Sequence, residues 1–277
     1  MKISIRYFSG TGNTWRIAAS CVSAFEAAGC QTDFASILRG GPPDPAADSA
    51  GFYFPVYSLD LPRIAVSFLR ELPRPEKTIP ALLMITGGSA DNCGWAVDSG
   101  VRLLSEKGYD VRIGDLIQMP DNWAPFHSAP DPERSAVLVD QGVAKAETLA
   151  QQFLGGERRI KPISLRRFGP VGSALMRVLF HRRGINKIWS FFRVNDRCTG
   201  CGICARACPT GSIILRDGKP VWSATCEQCM RCFSYCPRRA IQQFEGLLHG
   251  SRHRVNRLPG FNPSVDSWAD LKPAARG

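Results

Sequence analysis

The sequence predicts an α/β fold, a doubly wound parallel sheet, followed by a second, small α+β domain. Two observations indicate the first part. Apolar strands alternate with amphipathic helices over residues 1–156, and the first strand runs directly into a glycine-containing loop and a helix. Cysteine marks the second part, since eight of the 11 cysteines lie between residues 198 and 236. A chain of 277 residues is long enough for one large core and one small one.

The elements of the first part follow in the order that such a sheet requires. KISIRYF, residues 2–8, predicts the first strand, and the alanine-rich stretch from Trp15 to Ala28 predicts the first helix. Doubly wound sheets bind ligands at the carboxyl ends of their strands, so the loops at those ends are candidate sites. Four more strands are predicted at CQTDFASI, GFYFPVY, TIPALLMITGG and YDVRIGDLIQM, and more helices after Leu61, Cys93 and Asp131.

The loop after the first strand, SGTGNT, is suited to a phosphate. Gly10 and Gly12 let the backbone turn tightly around an anion, hydroxyl and amide side chains offer hydrogen bonds, and the next helix points its N–H groups at the same place. No lysine follows as in the ATP-binding loop, and Trp15 breaks the dinucleotide pattern G-x-G-x-x-G. A single phosphate monoester therefore fits the loop best.

YFSGTGNT at the start of the chain resembles the flavodoxin phosphate loop, which holds the phosphate of FMN. The resemblance implies a flavodoxin-like domain over residues 1–156. It also implies that the phosphate binds to Ser9, Thr11, Gly12, Asn13 and Thr14.

The same resemblance places the flavin ring between two later strand ends. One is Pro55-Val56-Tyr57-Ser58, and the other is Thr86-Gly87-Gly88 leading to Asn92-Cys93-Gly94-Trp95. Tyr57 is the first candidate to stack on the ring and Trp95 the second. The alternative for both aromatic side chains is ordinary packing.

Basic and acidic residues are distributed unevenly along the chain. Residues 1–156 hold 13 Lys and Arg against 17 Asp and Glu, residues 157–197 hold 11 against 2, and residues 198–277 hold 11 against 5. The basic, amphipathic segment 157–193 predicts a linker with two short helices around Gly184, whose apolar face packs on the domains. Alternatively it docks an acidic redox partner or touches an anionic membrane surface peripherally. No recognition motif supports nucleic-acid binding.

The N-terminus carries no signal-peptide pattern, and no apolar run approaches the roughly 18 to 20 residues that a membrane span needs. With cysteines spaced for metal rather than for disulfides, the expected compartment is the reducing cytoplasm. The tail, residues 245–277, is rich in Arg, Pro and small residues and indicates no function.

CTGCGICARACP and CEQCMRCFSYCP repeat one pattern, C-x-x-C-x-x-C-x-x-x-C-P. Three closely spaced thiols suit one [4Fe-4S] cluster, and in two-cluster ferredoxins the fourth cysteine binds the other cluster. Zinc is the alternative, but it would use only two cysteines of each copy. Residues 194–244 thus resemble a bacterial two-cluster ferredoxin domain. One cluster would bind Cys198, Cys201, Cys204 and Cys236, and the second Cys226, Cys229, Cys232 and Cys208.

The whole arrangement resembles the flavodoxin–ferredoxin fusion proteins. The resemblance implies an electron-transfer protein that relays electrons between two [4Fe-4S] clusters and FMN for an external redox partner. That partner would dock near the basic linker and the ferredoxin domain. The alternative is an FMN-dependent reductase that acts on a small substrate, with the clusters as its electron feed. Whether the chain is an enzyme is left open by the sequence.

Overall fold

The computed structural model describes residues 1–91, 94–123, 130–161 and 185–243. The first three of these ranges build a sheet in which every neighbouring pair of strands is parallel, in the order β2-β1-β3-β4-β5-β6. The first five strands follow the flavodoxin-like order 2-1-3-4-5, whose switch point lies between β1 and β3. The strands are β1 (Lys2–Tyr7), β2 (Gln31–Ser36), β3 (Ser49–Pro55), β4 (Ile79–Gly87), β5 (Tyr109–Gln118) and β6 (Arg159–Ile160).

Four helices cover the two faces of the sheet: α1 (Asn13–Ala27), α2 (Arg63–Glu71), α3 (Ala96–Glu106) and α4 (Pro132–Leu154). Alternation along the strands divides the core between the faces, because successive strand residues point to opposite sides. In β4, Leu83 and Ile85 pack with α2 and α3, whereas Leu82 and Met84 pack with α1 and α4. The doubly wound α/β class, its strands and its helices are confirmed.

The segment predicted as linker contributes to the sheet. Its residues Arg159 and Ile160 form β6 and pair with Ile113 and Gly114 of β5. Most of the two helices expected around Gly184 falls outside the described residues, as does the tail from residue 245, whereas Ile185–Phe191 forms a 3-10 helix. Among the described residues, no helix combines the length and apolar character needed to cross a membrane.

The cysteine-rich part is a small α+β unit. Its strands are β7 (Phe192–Val194), β8 (Ile213–Arg216), β9 (Lys219–Trp222) and β10 (Ile241–Gln243), and its one-turn helices are α5 (Ile203–Arg206) and α6 (Arg231–Ser234). β7 pairs antiparallel with β10, so the start and end of the unit close on each other. β8 and β9 form a hairpin, with φ values of 49° at Asp217 and 72° at Gly218 as its two-residue turn requires.

Candidate functional site

A cavity of about 830 Å³ opens at the carboxyl ends of β1, β3, β4 and β5. Most of its wall comes from the segments that follow these four strands, and the remainder comes from the cysteine-rich unit and from Ile188 of the 3-10 helix. We call this space the main cavity. Sequence-predicted residues on its wall are Ser9, Thr11, Asn13, Thr14, Pro55, Tyr57, Thr86, Gly87 and Gly88.

The SGTGNT loop is held in a fixed shape from within. The Gly12 N–H donates to Ser9 Oγ at 3.0 Å, and the Oγ1 atoms of Thr14 and Thr86 lie 2.7 Å apart. Gly12 has φ 114°, a left-handed conformation that favours glycine, and α1 begins at the next residue without a capping side chain. The N–H groups of that first turn are thus free of a side-chain cap, as an anion-binding helix end requires. Gly12 shapes the loop but does not line the main cavity.

The two ring candidates lie in different places. Tyr57 is on the wall of the main cavity, where its ring meets Phe8 edge-on, with centroids 6.2 Å apart and an interplanar angle of 84°. Burial raises the pKa of Tyr57 well above its ordinary value, so the hydroxyl stays protonated. Trp95 does not line the main cavity. It is a buried residue directly before α3, and its backbone N–H donates to Leu59 O at 2.8 Å. Asn92 and Cys93 lie outside the described residues.

Sequence reasoning missed the segment that follows β5. Asp121, Asn122 and Trp123 line the main cavity, and Asn122 Nδ2 hydrogen-bonds to Thr11 Oγ1 of the phosphate loop. Asn13 Nδ2 donates in turn to Pro120 O at 2.8 Å. The sequence could have indicated this segment, because ligands of doubly wound sheets bind at the carboxyl ends of the strands, and this applies to β5 as it does to β1, β3 and β4.

The cysteines surround two smaller cavities. The outer cavity is lined by Cys198, Cys201, Cys204 and Cys236, and the inner cavity by Cys208, Cys226, Cys229 and Cys232. Each cavity therefore takes three thiols from one sequence copy and the fourth from the other, which is the arrangement expected from the repeat. All ten cysteines among the described residues are free, so none of these thiols is used in a disulfide there.

The thiol environments suit a group that carries positive charge. Burial, together with neighbouring thiols, raises the pKa of Cys204 and Cys226 to about 11 and that of Cys229 to about 12. Thiolates so placed need metal to stabilise them. Backbone N–H groups already point at sulfur: Ser212 N lies 3.3 Å from Cys208 Sγ and Ala240 N lies 3.3 Å from Cys236 Sγ. No described group of three His, Cys, Asp or Glu side chains is arranged for a single metal ion.

The two copies share the same backbone conformation around their cysteines. In the first copy the left-handed residues are Gly200, Gly202 and Gly211, with φ between 62° and 73°. In the second copy the matching positions are Gln228, Met230 and Arg239, with φ between 48° and 57°. A non-glycine residue in this conformation costs roughly 1–2 kcal/mol. The side chains of the second copy at these three positions therefore come with a cost in backbone conformational energy.

Comparison with known proteins covers both parts of the chain. The family model described as "4Fe-4S binding domain" matches residues 192–214. A ferredoxin-like protein in the vnf region of Azotobacter chroococcum is 46% identical over 46 residues, which are 14% of this chain and 71% of that protein, and its Azotobacter vinelandii counterpart is 44% identical over the same extent. These matches place the cysteine-rich part in the 4Fe-4S ferredoxin family, and the strand order of the first part is that of a flavodoxin-like fold. The chain is a fusion of these two domains.

Solved structures similar to the first part of the fusion protein include two flavodoxins. The Streptococcus pneumoniae flavodoxin is 18% identical with a TM-score of 0.41, and covers 56% of this chain and 99% of its own. The Megasphaera elsdenii flavodoxin is 22% identical with a TM-score of 0.38, over 52% and 98% respectively. An azoreductase from Bacillus anthracis is 12% identical with a TM-score of 0.43, over 55% and 100%.

The two parts of the fusion protein meet through the loop between Cys226 and Cys229. Arg63, at the start of α2, binds this loop: its Nη2 donates to Cys226 O at 2.7 Å and its Nε lies 3.3 Å from Glu227 Oε1. The Arg63 N–H also donates to Glu227 Oε2 at 3.0 Å. Burial raises the pKa of Glu227, and Arg63 opposes that rise.

That loop is the shared wall of the two sites. Glu227 and Gln228 line both the main cavity and the inner cavity. Cys229 packs in the same apolar cluster as Phe8 and Phe54 of the sheet. No residue that lines the main cavity also lines the outer cavity. The inner cavity is therefore the one that adjoins the main cavity.

Proposed function

We propose that the fusion protein is an electron carrier in which FMN occupies the main cavity and one [4Fe-4S] cluster occupies each cysteine-lined cavity. The observation that supports it is the shared wall, Glu227 and Gln228, between the main and inner cavities. FMN, when bound, supplies a carrier that takes up one or two electrons, whereas each cluster passes one electron at a time. Electrons would pass between the outer and inner clusters, and between the inner cluster and the flavin.

The protein's own residues position these groups. The phosphate of FMN would lie at the N-terminal end of α1, against the hydroxyls of Ser9, Thr11 and Thr14. The ring would lie between the loops after β3 and β4, with Tyr57 on the wall. Buried thiols and the N–H groups that point at them would set the cluster potentials.

The partner would exchange electrons at the outer cavity. Cys201 is exposed there, whereas the inner-cavity residues Cys208, Cys229 and Cys232 are buried. Arg238 lines the outer cavity, and the Arg206 guanidinium lies over Gly202 beside it. Exposed Leu215 adds apolar surface. We propose an acidic redox protein as the partner and, because the thiols need a reducing environment, the cytoplasm as the compartment.

Anaerobic purification followed by assays of iron, sulfide and flavin tests the proposal. We expect about eight irons and one FMN per chain. Reduction by a reduced ferredoxin should reach the flavin only when the clusters are present. A folded protein that contains no flavin, or one whose flavin is reduced equally fast without clusters, would overturn the carrier. Rapid turnover of NAD(P)H at the flavin without a protein partner would favour the reductase instead.

A further inference from the structure

Arg231 is the largest side chain that is completely buried among the described residues. It lies between Cys229 and Cys232, at the start of α6. A guanidinium is charged at every physiological pH, and burying it costs several kcal/mol unless hydrogen bonds and opposite charges compensate. Its position between the two sites therefore needs a reason.

The hydrogen bonds of Arg231 reach both parts of the protein. Nη2 donates to Ser9 O at 2.5 Å and Nε donates to Gly10 O at 2.8 Å, so the guanidinium holds the back of the phosphate loop. Nη1 donates to Ala207 O at 3.3 Å, next to Cys208 of the inner cavity. One turn along, Tyr235 Oη donates to Thr11 O at 3.4 Å. Arg231, at the start of α6, and Tyr235, directly after its end, thus both contact the phosphate loop.

These three acceptors are neutral carbonyl groups. The guanidinium contacts the loop that fits a phosphate, and Arg231 lies in the chain between Cys229 and Cys232 of the inner cavity. Both sites, when filled, hold negative charge, and an iron–sulfur cluster gains one more negative charge on reduction.

We propose that Arg231 is the shared counter-charge of the FMN phosphate and the inner cluster, and that it couples flavin binding to the cluster potential. This inference rests on the proposed function. A phosphate bound in the loop that Arg231 contacts would offset part of the positive field that favours the reduced cluster, so FMN would lower the cluster potential. Because coupling free energies are reciprocal, reduction of the cluster weakens FMN binding by the same factor.

Riboflavin provides the probe that isolates the phosphate, since it has the same ring and no phosphate. In the flavin-depleted wild-type protein, we expect FMN to make the potential of the inner cluster more negative and riboflavin to leave it nearly unchanged. The potential is read from an EPR-monitored redox titration of the full chain. Equal potentials with FMN and with riboflavin would overturn the coupling, and this measurement needs no variant.

Substitution separates charge from shape. Arg231→Gln should weaken FMN binding about tenfold, or about 1.4 kcal/mol, and leave riboflavin binding unchanged. Without flavin, its inner-cluster reduction equilibrium should fall about tenfold, a one-electron shift of about 59 mV. Arg231→Lys should keep most of the potential. Arg216→Gln is the matched control, because Arg216 is an exposed arginine in β8 of the same unit, and it should change neither quantity.

The outcomes separate a counter-charge from a mechanical clamp. If Arg231→Gln weakens FMN and riboflavin equally and leaves the potential in place, Arg231 only holds the loop and the inference is wrong. If the wild-type protein binds no flavin, the proposed function fails. The potential of flavin-free Arg231→Lys and Arg231→Gln then still decides whether Arg231 acts on the cluster.

Discussion

Gly10 of the phosphate loop contacts Cys229, at the end of the loop between Cys226 and Cys229, and Gly10→Ala tests that contact. A Cβ at this position would lie 2.4 Å from Tyr57 Oη, 2.6 Å from Cys229 O and 3.1 Å from Cys229 Cβ. Carbon and oxygen atoms do not approach this closely, so the two loops must separate by about half an ångström or more. Because the Cys229 contact is to backbone, no rotation of a side chain relieves it. Overpacking of this kind costs about 1–3 kcal/mol.

We expect that cost to fall on FMN binding and on electron transfer between the parts. A loss of 1–3 kcal/mol weakens FMN binding about 5- to 150-fold. Fluorescence titration of flavin-depleted protein measures the affinity, and stopped-flow absorbance measures the reduction of the flavin through the clusters. Iron content should stay at about eight per chain, since every thiol is retained.

Gly155→Ala is the control for Gly10→Ala. A Cβ there would meet only Gln152 O at 3.4 Å and Gln151 O at 3.6 Å, which are ordinary contacts, and it lies far from either site at the end of α4. Its FMN affinity and reduction rate should match the wild type. If Gly10→Ala also keeps wild-type affinity and rate, the two loops do not pack as described and the shared-wall argument fails with them.

Three further perturbations address the cysteines, the interface and the partner. Cys208→Ser should remove the inner cluster and Cys236→Ser the outer one, each leaving about four irons by analysis; loss of the opposite cluster would contradict the crossed arrangement. Arg63→Ala should cost about 1–3 kcal/mol in denaturant unfolding at about pH 8. That cost should shrink on acidification, because burial raises the pKa of Glu227 and protonation removes the uncompensated charge; a pH-independent cost would contradict this. Arg238→Glu should slow reduction by an acidic protein partner at low salt and leave dithionite reduction unchanged.

The positions of the SGTGNT loop and of the two cysteine sets could be predicted from the sequence because both depend on short-range pattern. SGTGNT is a local backbone conformation joined to a helix, and its side chains lie on the main cavity as expected. The cysteine repeat needs only the rule that each copy lends its fourth thiol to the other. Strand and helix positions followed from periodicity, which burial in a two-sided sheet makes regular.

The remainder depends on how distant segments pack. Trp95 follows β4 as predicted, yet its backbone N–H donates to Leu59 O. The residue is buried directly before α3 and does not line the main cavity. β6 is only two residues long and highly charged around its ends, so periodicity does not reveal it. The contact of Arg231 with Ser9 joins residues 222 positions apart, and no local pattern encodes it.

The two cysteine copies differ in which residues occupy their left-handed backbone positions. Both copies have left-handed backbone after their first and second cysteines, and the first copy has glycine at these positions. The second copy instead has Gln228 on the wall of the main cavity and Met230 in the core of the unit. Glycine would remove the backbone cost at both positions but would leave the wall open and the core underfilled. Gln228 thus lies on the wall shared by the inner cavity and the main cavity, while Cys201 of the outer cavity stays exposed.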